Sequence, residues 1–194
     1  MTKTYLRKLS SLGYSIIPVD ENKRPIGAWK KYQTEARSPD EVEQLDSPLY
    51  GLVTGVNDLE VIDVDLKVLI GLQEQKAWWK EYISFIEDNI EDFADKVVIA
   101  KTKNAGFHIL YKCKNVGTNT KIATPEGSSE AIIESRGTGG MVVIYENFLT
   151  DKQYHDIKYI TNEERDIIWA ISRTFNHIEE QTIDEPKKSD YKAH

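Results

Sequence analysis

Residues 59–65, LEVIDVD, form an apolar run that ends in two carboxylates. Side chains alternate between the faces of a β-strand, so Asp63 and Asp65 stand side by side, with roughly 7 Å between their Cα atoms. Two like charges that close repel each other unless a cation lies between them. The segment therefore has to pair within a sheet and present its last two acids to something positive.

The chain has 194 residues, enough for one domain with a substantial core and with room for two lobes around a shared sheet. Its 40% apolar and 29% charged residues are ordinary globular composition. No run is long and apolar enough to span a membrane. The N-terminal stretch MTKTYLRKLSSLGYSIIPVD lacks the unbroken apolar core and small-residue cleavage site of a secretory signal, so a cytoplasmic protein without a membrane partner is expected. Cys113 is the single cysteine, which excludes an internal disulfide and a multi-cysteine zinc knuckle. A metal would be held mainly by oxygen, favouring magnesium or manganese over zinc.

The net charge of −7 is unevenly spread. Residues 1–37 hold eight Lys/Arg against three acids (net +5), residues 38–95 fifteen acids against three bases (net −12), and residues 96–136 seven bases against three acids (net +4). Two basic blocks flank an acidic one. An acidic helix on a far surface can dominate the total while a working cleft stays positive, so the overall sign does not exclude a nucleic acid. Ordinary solvated faces would give the same counts.

Tyr5, Leu6, Leu9 and Leu12 recur at helical spacing, with Gly13 as the stop before the strand YSIIPV. Ser38, Pro39 and Glu41 spell a capping box with proline at the first helical position. YGLVTG and LEVIDVD read as strands with the turn GVND between them. The stretch from about Leu69 to Phe93 reads as a long amphipathic helix. KVVIAKT with GFHILYK, and AIIES with GGMVVIY, read as two strand pairs, with NVGTNTKIATPEGSS between the pairs as a polar mobile loop. HDIKYI reads as a short strand before a second capping box, Thr161 with Glu164, which opens a helix to about Asn176. The last stretch, 179–194, lacks apolar periodicity and reads as a linker after a domain spanning 1–178. Helices alternating with strands early and strand pairs later predict a mixed α/β domain with an antiparallel-rich central sheet.

Polar groups interrupt the strand pattern at three places: Asp63 with Asp65; His108, opposite in face to Phe107, Ile109 and Tyr111; and Glu134, sharing its face with Ile132 and Arg136. Two Asp and a Glu can coordinate a pair of hard cations, as in enzymes that move phosphoryl groups. His108, Lys101, Lys103 and Arg136 can grip phosphate oxygens, and Gly137, Gly139 and Gly140 would let backbone amides approach a ligand. Taken alone, a strand histidine is more often a hydrogen-bonded structural residue. The order and company of these groups give them weight.

In that order they resemble the bifunctional primase-polymerase domain of plasmid and phage replication proteins, a branch of the archaeo-eukaryotic primase superfamily. The matching elements run from about residue 13 to 148. GYSIIPVDENKRPIGAWKKY is similar to the family's opening, with Lys23, Pro25 and Trp29 at its Lys, Pro and Trp. GLVTGVNDLEVIDVD resembles the approach to the first acidic motif, KTKNAGFHILY the second motif, and IIESRGTGGMVV the third. Thr102, Gly106 and His108 fit the second motif, with Ala105 in place of a glycine, and Glu134 stands where the third usually has Asp.

The resemblance implies a primase-like fold of two lobes with an RRM-like sheet. It also implies a nucleotidyltransferase that uses dNTPs or NTPs to start or extend a strand on a single-stranded DNA template. Asp63, Asp65 and Glu134 then inherit the role of magnesium or manganese ligands in a two-metal site. His108 and Arg136 would contact the triphosphate, with Thr102, Lys101 and Lys103 as further nucleotide contacts. Trp29, Tyr32 and Tyr50 can stack a base, although aromatic residues beside strands are more often core. Lys23, Arg24, Lys30 and Lys31 can track template phosphates, or simply belong to a solvated loop. A helicase in the same longer polypeptide is an expected partner. A catalytically silent single-stranded DNA or nucleotide-binding module is the main alternative. A rolling-circle nicking enzyme would want a His-x-His metal site, which the four histidines do not form, and a nucleotide cyclase would not need a DNA template.

Overall fold

The computed structural model describes residues 1–177, so the predicted linker at 179–194 lies outside the described residues. In chain order the elements are α1 (Lys3–Ser11), β1 (Ile16–Val19), α2 (Pro39–Glu43), β2 (Leu49–Val53), β3 (Leu59–Asp65), α3 (Leu72–Asn89), α4 (Phe93–Lys96), β4 (Val98–Lys101), β5 (Gly106–Lys112), β6 (Thr120–Ala123), β7 (Ile133–Arg136), β8 (Met141–Val143) and α5 (Asn162–Thr174). The strands form two antiparallel sheets, one ordered β4-β5-β3-β7-β6 and one ordered β1-β2-β8. This is the mixed α/β class predicted. Both capping boxes form, Ser38 with Glu41 at α2 and Thr161 with Glu164 at α5, and Gly13 follows α1 at φ +89°.

Several elements differ from the sequence reading. The strands either side of GVND do not pair with each other: β2 joins β1 and β8, whereas β3 joins β5 and β7. Likewise β7 and β8 belong to different sheets, so the chain crosses between lobes at both glycine-rich turns. The supposed mobile loop contains β6, whose first two residues are exposed and whose last two are buried, a pattern without period-2 alternation. HDIKYI is a 3₁₀ turn (Tyr154–Asp156) followed by a single bridge from Tyr159 to Lys112. The long helix is shorter than predicted. Gly71, at φ +92°, precedes it, and Ile90 leaves helical geometry at its end. Ile132, expected beside Glu134, instead packs with Ile133 in the core beneath the helices.

The larger sheet is covered on both faces. Ile62, Val64, Phe107, Ile109, Tyr111 and Ile133 face α3 and α5, where Tyr82 and Ile86 are fully buried. Each such buried side chain contributes about 1.5–3 kcal/mol. Trp79 stacks on Phe107 with centroids 3.7 Å apart, and the Tyr82 hydroxyl meets Ser172 Oγ at 2.7 Å, joining α3 to α5. On the opposite face, Leu59, Val61, Val98, Ala100 and Leu110 pack against Leu52 and Val142 of the smaller sheet and Leu6 and Leu9 of α1. The smaller lobe covers one end of that face, and the other end opens as a cleft. The acidic helix α3 lies across the sheet from it.

Glu60 is a fourth interruption of the strand pattern, and the sequence reading missed it. It points to the helical side and is fully buried. Its carboxylate accepts from Arg165 Nε (2.7 Å) and Nη2 (2.8 Å), the Tyr111 hydroxyl (2.7 Å) and the Gly117 amide (2.8 Å). Burial alone would raise its pKa, but the Arg165, Tyr111 and Gly117 donors outweigh burial and hold it below the usual glutamate value. A depressed native pKa adds stability above the unfolded-state value, about 4.3, and that stability is lost as pH falls through the native value. Glu60→Gln leaves the Arg165 guanidinium without its counter-charge and is expected to cost about 3 kcal/mol in urea unfolding at neutral pH. The deficit relative to the parent should shrink below pH 4. An equal deficit at pH 7 and pH 3 would show that the charge of Glu60 does not matter.

Candidate active site

The open end of the sheet face is built by register. Asp63 on β3 lies directly opposite His108 on β5 and, on its other side, opposite Glu134 on β7. Directly opposed residues put their side chains on the same face about 5 Å apart, so the three stand in one row across three strands. Asp65 follows on the same face of β3, and Arg136 lies one step along β7, opposite Val61. The polar groups separated in sequence by up to 73 positions are thus neighbours.

The acids are already matched by protein cations. Arg136 pairs with Glu134, and its Nε lies 3.5 Å from Asp63 Oδ2. Lys67, just past the strand end, places Nζ 2.9 Å from Asp65 Oδ2 and 3.8 Å from Glu130 Oε2, while its backbone N–H donates to Asp65 Oδ1 at 3.2 Å. His108 is 5% exposed, and its Nε2 lies 3.6 Å from Asp63 Oδ1, beyond hydrogen-bond range. Burial lowers the imidazole pKa, Arg136 and Lys23 push the same way, and Asp63 opposes them. A histidine lowered from 6.5 is neutral at neutral pH, with one N–H to donate. Its Nδ1 is buried without a partner, a cost of about 1–3 kcal/mol that a ligand atom or water would remove.

Two hollows meet at the carboxylates. The larger, about 340 Å³, is lined by Lys23, Trp29, Thr102, His108, Arg136 and Tyr145 together with Asp63 and Asp65. The smaller, about 230 Å³, lies toward the β6 edge, where Lys67, Lys121 and Glu130 join Asp63, Asp65 and Glu134. Among the described residues no three His, Cys, Asp or Glu side chains converge closely enough to hold a metal ion as they stand. Glu134 is turned to Arg136 and Asp65 to Lys67, which accounts for the spread. The donor set itself, three carboxylates on one open face, suits a hard divalent cation.

The chain matches the family model of the bifunctional DNA primase/polymerase, N-terminal domain, over residues 6–164. It belongs to that family. The match spans every strand of both sheets, and the domain is therefore of the DNA primase/polymerase type. No curated protein matches the chain.

Within this primase/polymerase domain, the expected site residues divide. Asp63, Asp65, Glu134, His108, Arg136, Thr102, Lys23 and Trp29 all line the hollows. Lys101 and Lys103 do not; from the turn after β4 it is Asn104 that lines the larger hollow with Thr102. Arg24, Lys30 and Lys31 also lie outside both hollows, with Lys31 Nζ 5.3 Å from the Tyr32 ring. Tyr32 is buried in the core of the smaller lobe, and Tyr50, partly buried against the core between the sheets, lies outside both hollows. Gly137 and Gly140 serve the fold: a Cβ on Gly137 would strike the Gly117 carbonyl, and one on Gly140 the Asn119 side chain. Sequence reasoning missed Lys67, Lys121, Asn104 and Tyr145. Lys67 alone carried a signal, two residues after Asp65.

At the β4–β5 turn Ala105 sits at φ +51°, in the left-handed region, and its carbonyl accepts from the Leu66 amide at 3.1 Å. That conformation costs an L-residue roughly 1–2 kcal/mol. Ala105→Gly is expected to raise unfolding stability by about 1 kcal/mol, read from the urea midpoint at constant slope. A lower midpoint would show that the alanine methyl contributes packing that outweighs the strain.

Proposed function

We propose that this domain transfers nucleotides from dNTPs or NTPs to a 3′ hydroxyl on a single-stranded DNA template. The observation that carries the reading is the row Glu134–Asp63–His108, in register across three strands where the sheet face opens. Asp63, Asp65 and Glu134 would hold magnesium or manganese ions, which when bound lower the cost of charge on the attacking and leaving oxygens. The attacking hydroxyl and the departing pyrophosphate lie in line on opposite sides of the α-phosphorus. His108, neutral, donates its N–H to a phosphate oxygen. Arg136 exchanges carboxylate oxygens for phosphate oxygens, partners of the same charge, and Thr102 and Lys23 add contacts in the larger hollow. Trp29 offers a face for a base. Replication of a plasmid or phage, with a helicase in the same polypeptide, is the setting proposed for this activity.

A second reading is favoured by one observation: each of the three carboxylates already has a protein cation beside it. A module that only binds single-stranded DNA or a nucleotide would need nothing more. Primer extension on a single-stranded template with magnesium or manganese separates the two. Asp63→Ala is expected to lower extension by at least about 100-fold with little change in melting temperature, since the pairs it breaks are solvent-accessible. His108→Ala is expected mainly to raise KM for the nucleotide. Template-dependent extension by Asp63→Ala at the parental rate would refute the catalytic assignment, and a parent that binds DNA without extending it would favour the silent module.

A further inference from the structure

We infer that the smaller hollow, on the β6 side of the carboxylates, receives the terminal backbone phosphates of the primer, and that Lys121 is its phosphate contact. The inference rests on the nucleotidyl-transfer reading above and adds a direction to it. The two hollows share Asp63, Asp65, Lys67 and Arg136 but differ in the rest of their lining. The larger combines Trp29 and Tyr145 with Thr102, Asn104 and His108, apolar faces beside hydrogen-bonding groups, which suits a base together with a triphosphate. The smaller has no aromatic residue; beside Glu130 and Glu134 it adds one cation of its own, Lys121, to the shared Lys67 and Arg136, and these three cations suit a sugar-phosphate backbone. In-line displacement then fixes their relation. If pyrophosphate leaves on the His108 side, the attacking hydroxyl has to arrive from the other side of the shared carboxylates, through the smaller hollow.

Lys121 is the cation there that remains to be assigned. Arg136 is paired with Glu134, and Lys67 with Asp65. Lys121 lies directly opposite Glu134 in the β6–β7 register, on the same face, is exposed, and makes no ion pair with another described residue. β6 is an edge strand, so shortening this side chain leaves the sheet ladder intact.

The test compares the parent and Lys121→Ala by fluorescence anisotropy on a primer–template and on the same template unprimed, and by steady-state extension kinetics. Lys121→Ala is expected to weaken binding of the primer–template several-fold with unprimed binding unchanged, and to make the salt dependence of primer–template affinity shallower by about one unit of slope. KM for primer rises and KM for nucleotide stays at the parental value. A rise in nucleotide KM with primer affinity unchanged would place the triphosphate in this hollow and overturn the inference. Equal loss on primed and unprimed DNA, or no loss on either, would overturn it as well. A parent that binds primer–template without extending it refutes the polymerase reading instead, and the anisotropy comparison still decides the role of Lys121.

Discussion

The central strand β3 is hydrogen-bonded on both sides, and that pairing is the constraint on which the rest depends. Pairing to β5 and β7 at Asp63 brings His108 and Glu134 to it at once, and a slip of one residue on either side would turn those side chains to the other face. The same alternation divides the acids of the strand. Glu60 faces the helices and is enclosed, while Asp63 and Asp65 face the lobe interface at the end the smaller sheet leaves open. One short segment thus holds an enclosed structural carboxylate and two open ones, distinguished by parity.

The buried carboxylate also braces the turn that follows Arg136. Glu60 Oε1 accepts from the Gly117 amide, and the Gly117 carbonyl accepts from Thr138 N–H at 2.8 Å. Gly137 packs against that same carbonyl, its amide donates to Asn119 Oδ1 at 3.1 Å, and Thr54 from the β2–β3 turn donates to the Gly137 carbonyl at 2.6 Å. These contacts fix the turn that follows Arg136. A salt link between β3 and α5, on the helical side of the sheet, is in this way connected through backbone hydrogen bonds to the guanidinium that neutralises the site. Gly117 itself allows the approach, since a Cβ there would lie 2.8 Å from Arg165 Nη2.

Most elements were legible because their signals are local. The capping boxes at Ser38 and Thr161, the alternation in LEVIDVD and GFHILYK, and the motif order that carried the family resemblance all lie within a few residues. Sheet membership was not legible. Nothing in YGLVTGVNDLEVIDVD marks that its two strands part into different sheets, because that depends on β8 arriving from residues 141–143 to pair with β2. The candidate ligands Asp63, Asp65, Glu134 and His108 stood out as polar interruptions of apolar strands. Lys121 did not, because an exposed lysine on an edge strand breaks no pattern. Glu60 broke one and passed unnoticed, since its counter-charge lies 105 positions away on α5.

Burial explains why acids of the same strand can have opposite tasks. Glu60 is fully enclosed and its partner Arg165 nearly so; separating them strands a charge in a low-dielectric interior, at a cost of about 3–5 kcal/mol. The Asp63–Arg136 and Asp65–Lys67 pairs remain roughly a quarter to a half exposed, and pairs of that kind contribute about 0–1 kcal/mol. They neutralise the repulsion that two adjacent aspartates would otherwise suffer, yet are weak enough for a divalent cation or a phosphate to displace at little cost. Under the nucleotidyl-transfer proposal, Arg136 and Lys67, being positive, would pass from these carboxylates to a negatively charged substrate. The cations that neutralise these carboxylates would then serve as substrate contacts, without the site being rebuilt.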